Sequence, residues 1–151
     1  LSDFIHAEMP QKRIYTILRH MTEALDYAAG SGYVHRDIKP SNIMLRDSED
    51  FVLADFGIAR AANSGTQMTQ TGLMVGTPSY MSPEQAQGAG EIDWRTDLYS
   101  LGVTFYEMLT GSVPYNADSA IAVALKHIKD PVPQLPEQFK TFQQAQYDNF
   151  I

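Results

Sequence analysis

Apolar residues return at Ile14, Leu18, Met21, Leu25 and Ala28, in alternating steps of four and three. That period predicts one stripe of an α-helix, opened by Pro10 and ended by Gly30 and Gly32. Tyr33-Val34 lead into a short loop. Two short runs, Asn42-Ile-Met-Leu45 and Phe51-Val-Leu-Ala54, flank Asp47-Ser-Glu-Asp50 and predict a small hairpin. From Gly57 to about Met81 the chain turns to Ala, Asn, Ser, Gly, Thr and Gln without a helical or strand period, which predicts a long irregular loop; such loops are usually functional or disordered. A second helix is expected from about Trp94 to Thr110, with Leu98, Leu101, Phe105 and Leu109 on one face and Gly111 as its C-terminal cap. Asp118-Ser-Ala opens a third helix through Lys129, before the connector Asp130-Pro-Val-Pro-Gln-Leu-Pro136. The tail from Glu137 to Ile151 is read as helical. With no internal repeat and no sharp boundary, the pattern is that of one unit, mainly α with a small β-hairpin.

Composition narrows what such a unit does. A chain of 151 residues with 44% apolar and 19% charged content is long enough for a real core. A net charge of −7 and a pI near 4.9 argue against a nucleic-acid binder, which needs a cationic surface to displace counterions. Zero cysteines exclude disulfides, thiolate zinc sites and a cysteine nucleophile. The histidines, His6, His20, His35 and His127, show no metal-ligand spacing. Apolar runs such as Phe51-Val-Leu-Ala54 are far too short to cross a bilayer, and the N-terminus has no signal-peptide pattern, so no membrane contact is expected of this segment. Leu1 is not a methionine and Tyr147 to Ile151 stop without a capping signal, so a piece of a longer protein is expected.

The polar residues around the hairpin carry the chemistry. His35-Arg-Asp-Ile-Lys-Pro-Ser-Asn42 precedes its first strand and Asp55-Phe-Gly57 follows its second. Phosphoryl transfer needs hard oxygen ligands for Mg²⁺, one carboxylate free to orient a hydroxyl, and a cation to offset phosphate charge. Asn42 and Asp55 supply the first, Asp37 the second and Lys39 the third. Any one of these residues alone reads equally well as a turn or cap residue. Jointly, the five specified positions of His-Arg-Asp-x-Lys-x-x-Asn arise by chance on the order of once in 10⁴ to 10⁵ chains of this length.

These motifs resemble those of the eukaryotic-type protein kinase family. The resemblance continues through Gly76-Thr-Pro-Ser-Tyr-Met-Ser-Pro-Glu84, similar to the family's substrate-docking segment, and Asp97-Leu-Tyr-Ser-Leu-Gly102, similar to its long buried helix. It implies a protein-kinase-like fold in which residues 1–151 form a C-terminal lobe, with catalytic loop 35–42, metal-binding residues 55–57 and activation segment 55–84. It implies ATP and Mg²⁺, with Mn²⁺ as an alternative, and Ser/Thr hydroxyls of protein substrates as acceptors. By resemblance, Asp37 is the catalytic base, Lys39 neutralises the transferring phosphoryl, and Asn42 and Asp55 are metal ligands. Met44 floors the adenine, and Thr77 bonds to both Asp37 and Lys39. Arg36 receives a phosphate placed on the long loop, where Met68-Thr-Gln-Thr-Gly72 resembles the autophosphorylated segment of bacterial Ser/Thr kinases. Thr71 and Thr69 are the favoured acceptors and Thr66 a competitor. His35, Phe56 and Trp94 read as packing residues. Asp97 is expected to be buried and to accept backbone donors from the catalytic loop.

Two parts of a complete kinase are missing from these residues. Neither Gly30-x-Gly32 nor Gly88-x-Gly90 continues into a phosphate-covering glycine loop, and no lysine stands in a Val-Ala-Ile-Lys context. In the family Glu84 pairs with a late arginine, and no arginine follows Pro131, so a buried carboxylate without its cation is expected. The chain alone is expected to be inactive. A kinase pair for trans-autophosphorylation and a cytoplasmic location, on its own or as part of a membrane-anchored receptor-like kinase, follow from the resemblance. The competing reading is a pseudokinase-like or truncated lobe that docks proteins without catalysis; intact Asp37, Lys39, Asn42 and Asp55 argue against it.

Overall fold

The computed structural model describes residues 1, 9–54, 60–61, 77–88 and 91–139. Helix α1 spans Gln11–Gly30, with Pro10 before its first turn. It buries Ile14, Ile17, Met21, Leu25 and Ala28. Ile17 replaces Leu18 at the centre of the stripe: Ile17 is 0% exposed and Leu18 packs at the core's margin. A 3.6-residue period lets adjacent positions share a face, and the alternation of four and three does not choose between them. The helix runs through Gly30 to a cap at Ser31, and Gly32 turns the chain with φ +75°.

Strand β1 (Tyr33–Val34) pairs antiparallel with β4 (Arg60–Ala61), a two-residue ladder inside the stretch read as irregular loop. A pairing this short has no period to read. The expected hairpin is β2 (Ile43–Asp47) with β3 (Asp50–Leu53), in the register Ile43↔Leu53, Met44↔Val52 and Leu45↔Phe51, slipping before Asp47↔Asp50. Phe51 is locked to α1 at two points: its backbone N–H donates to His20 Nδ1 at 3.1 Å, and the Arg13 guanidinium lies 5.5 Å from its ring centroid.

Short helix α2 (Pro83–Ala86) follows a 3₁₀ turn at Pro78–Tyr80. Helix α3 spans Arg95–Thr110 and ends on Gly111 in the left-handed conformation, φ +75°, whose N–H returns to the Glu107 carbonyl at 2.8 Å. Its inner side corrects the expected apolar face. Leu98 is 43% exposed, whereas Thr96, Asp97, Ser100 and Thr104 are buried beside Leu101, Val103, Met108 and Leu109. Thr96, Asp97 and Ser100 point inward because other segments' polar groups meet them there, and Thr104 bonds back to its own helix at the Ser100 carbonyl. Trp94, expected to pack, is half-exposed with the Arg95 guanidinium 5.7 Å from its ring centroid.

Helix α4 (Ala120–Lys129) begins one residue after Ser119, whose hydroxyl accepts the Ala122 N–H at 3.2 Å. In the tail a single 3₁₀ turn covers Glu137–Phe139, and the rest of the expected helix lies outside the described residues. The core joins Ile14, Ile17, Met21 and Leu25 of α1 to Ile38, Ile43, Phe51, Leu101, Met108 and Leu109. Ile38 lies inside the 35–42 loop, so that loop is anchored in the core one residue after Asp37. No described helix is long and apolar enough to cross a membrane.

Candidate active site

Residues 35–42 bridge β1 and β2, and the buried inner side of helix α3 holds their start. The Asp97 carboxylate accepts the backbone N–H of His35 on Oδ2 and of Arg36 on Oδ1, each at 2.7 Å. This is the arrangement expected for Asp97. Burial raises its carboxyl above the ordinary range, against the two N–H bonds, which pull it down.

His35 is fully buried. Its Nδ1 accepts the Asp37 N–H at 3.3 Å, which assigns the ring proton to Nε2, facing the Ala54 carbonyl at 3.0 Å. Its ring thus ties residues 35–37 to the end of β3. Arg36 adopts φ +69°, a left-handed conformation that costs a non-glycine residue about 1–2 kcal/mol. Its carbonyl accepts the Gln85 Nε2 amide at 2.9 Å.

Asp37 lies at the centre. Its Oδ2 receives Lys39 Nζ at 2.8 Å and Asn42 Nδ2 at 3.0 Å. Asn42 Nδ2 also donates to the Asp37 carbonyl at 2.8 Å, so both amide hydrogens serve one residue. Asn42 Oδ1 then has no donor among the described residues and is a hard oxygen of the kind Mg²⁺ takes. The Ala54 N–H bonds to the Asn42 carbonyl at 2.7 Å, which brings the residue preceding Asp55 against Asn42. Lys39 Nζ also reaches the Thr77 hydroxyl, at 3.5 Å. The second expected bond, from Thr77 to Asp37, is not formed: the lysine stands between the two. A cleft of about 30 Å³ beside the carboxylate is bordered by Asp37, Thr77, Tyr80 and Gln85, among others.

Segment 77–88 is fastened to α3 along its length. The Tyr80 hydroxyl donates to Glu107 at 2.6 Å, and burial with that carboxylate holds the phenol far above its usual range. Ser100 Oγ donates to the Tyr80 carbonyl at 2.7 Å. The Thr96 hydroxyl donates to Glu84, which leaves Ser82 Oγ as donor in its 2.9 Å bond to Thr96. Glu84 is thus half-buried, not buried as expected, and it takes a hydroxyl in place of a cation: no arginine or lysine pairs with it among the described residues. Met44, on β2, is 55% exposed, an open apolar surface at the hairpin. Asp55, Phe56, Thr66, Thr69 and Thr71 lie outside the described residues.

Two contributions escaped sequence reading. The α2 capping box is one: Ser82 accepts the Gln85 N–H and Gln85 Oε1 accepts the Ser82 N–H, a pairing that the spacing Ser82-x-x-Gln85 signals. Its bond to Arg36 had no sequence signal. The other is His127 of α4, buried against the 3₁₀ turn, with its ring edge-on to Tyr115 at 4.8 Å. Tyr99, raised to about 12 chiefly by burial, remains neutral and donates to His127 Nδ1 at 2.8 Å. His127 Nε2 faces the Pro78 and Ser79 backbone outside hydrogen-bond geometry.

Among known proteins, residues 1–149 match the protein kinase domain family. The serine/threonine-protein kinase PknB of Mycobacterium tuberculosis is 44% identical over 137 residues, covering 88% of this chain and 22% of that protein. A probable serine/threonine-protein kinase of Clostridium acetobutylicum is 50% identical over 118 residues, 78% of this chain and 18% of its own. Pkn3 of Myxococcus xanthus, also a serine/threonine-protein kinase, is 42% identical over 142 residues, 88% and 26% of the two chains. The chain thus spans about a quarter or less of the length of these relatives. The matched motifs, the helix-rich fold with its small antiparallel hairpin, and the family match agree: this chain belongs to the protein kinase domain family.

Proposed function

We propose that this chain is the catalytic C-terminal lobe of a serine/threonine protein kinase that transfers the γ-phosphoryl of ATP to protein Ser/Thr hydroxyls. The observation that carries the reading is the convergence of Lys39 Nζ and Asn42 Nδ2 on one Asp37 oxygen, with Thr77 across the lysine. Asp37 orients the acceptor hydroxyl and takes its proton, as that oxygen bonds to the γ-phosphorus and the bond from phosphorus to the β–γ bridging oxygen breaks, releasing ADP. Lys39 offsets charge on the transferring group. Asn42, through Oδ1, and Asp55 would hold Mg²⁺, which when bound neutralises the nucleotide's phosphates. Met44 offers an apolar surface to the adenine. Arg36 would receive a phosphate on Thr71 or Thr69, ordering the activation segment.

The experiment is transfer of radiolabel from ATP with Mg²⁺, on the 151-residue chain and on the full-length protein that carries it, with mass spectrometry of Thr66, Thr69 and Thr71. Label is expected in the full-length protein, on Thr71 or Thr69, and is expected to vanish with Asp37→Asn. The shorter chain should carry none, because it lacks the glycine loop and the lysine that orient nucleotide phosphates. A full-length protein that neither binds nucleotide nor takes up label would overturn the proposal and favour a docking module.

A further inference from the structure

We propose that Gln85 is a positioning residue for Asp37, a role that rests on the reading of Asp37 as the group that orients the acceptor. The Arg36–Asp37 peptide unit is gripped at both polar atoms. Its carbonyl oxygen accepts Gln85 Nε2 at 2.9 Å, and its N–H donates to His35 Nδ1 at 3.3 Å. This plane leads directly into the Asp37 Cα, so its rotation sets where the carboxylate points. It also follows a residue at φ +69°, from which the backbone relaxes unless neighbouring groups hold it. Asp97 holds the N–H of Arg36, and Gln85 holds its carbonyl.

Gln85 itself is placed by the docking segment. Its Oε1 accepts the Ser82 N–H at 3.0 Å and its own N–H reaches Ser82 Oγ at 3.3 Å, while Ser82 Oγ is tied to Thr96 on α3. With the oxygen occupied by the cap, the amide nitrogen is directed at Arg36. The carboxamide therefore joins the segment that receives a substrate to the peptide that aims the acceptor-orienting carboxylate. Its acceptor atom serves the helix cap and its donor atom serves the loop.

That division of labour makes the inference testable. Gln85→Glu keeps an acceptor for the Ser82 N–H and removes the donor, whereas Gln85→Met removes both at similar volume. In the full-length protein, single-turnover transfer to a serine peptide is expected to fall about 10- to 100-fold in both variants, the scale on which a small displacement of a reacting group acts. The peptide KM should change less than twofold, while thermal stability falls in both variants, in Gln85→Glu because a carboxylate oxygen faces the Arg36 carbonyl and in Gln85→Met because the cap loses its acceptor. Wild-type transfer in Gln85→Glu overturns the proposal, as does a loss carried by KM or a much larger loss in Gln85→Met. Asp37→Asn, run alongside, separates the two ideas. Unimpaired transfer in that variant defeats the reading of Asp37, whereas its inactivity beside a fully active Gln85→Glu defeats only the role of Gln85.

Discussion

Asp97 is a carboxylate inside a helix that is otherwise packed against the core, and its two oxygens are consumed by the N–H groups of His35 and Arg36. Asparagine at this position would turn an NH₂ group toward one of those donors and leave it buried without an acceptor. Asp97→Asn is therefore expected to destabilise the fold by about 1–3 kcal/mol, the usual cost of an unsatisfied buried polar group. Urea denaturation checks this as a lower midpoint at unchanged slope. At this scale the sequence was informative about identity and less so about partners. Lys39 and Asn42 meet on Asp37 and Asp97 holds the backbone before it, but Thr77 reaches only the lysine of its two expected partners. Glu84 takes the Thr96 hydroxyl, which no motif announces because the pairing depends on how α2 sits on α3.

Elements were legible where a period repeats several times. The twenty residues of α1 and the β2–β3 hairpin follow from their spacing, whereas the two-residue β1–β4 ladder has too few positions to show one. Helix α3 misleads a hydrophobic reading because its N-terminal inner face is built of Thr96, Asp97, Ser100 and Thr104, each serving a neighbouring segment or its own helix. Its C-terminus was readable from Gly111, whose φ of +75° a side chain tolerates poorly. Gly111→Ala should cost about 1–2 kcal/mol, seen as a lower denaturation midpoint, although open space surrounds the missing Cβ. The docking of α4 has a pH signature. Burial lowers His127 below its ordinary 6.5, so between the lowered value and 6.5 the unfolded chain binds this proton and the folded one does not. Its contribution is complete above that window and fades as pH falls through it. His127→Gln should flatten that part of the stability–pH profile, measured by thermal unfolding from pH 7.5 to 5.

At the scale of the molecule, one core among the described residues serves both the helical scaffold and the 35–42 loop, since Ile38 packs in the same cluster as Ile17 and Met108. Ile17→Ala should cost about 2–5 kcal/mol, a large share of the roughly 5–15 kcal/mol that holds a typical domain together. Calorimetry is expected to show that loss as a single lowered transition, not as local loosening of α1. The bonds from Asp97 join partners 62 and 61 positions apart, and the Gln85 bond spans 49. At about 5–20 residues per second of synthesis, His35 and Arg36 precede their acceptor by about 3–12 seconds. On the ribosome, the loop that carries Asp37 therefore emerges first and waits, unassembled, for the helix that will hold it.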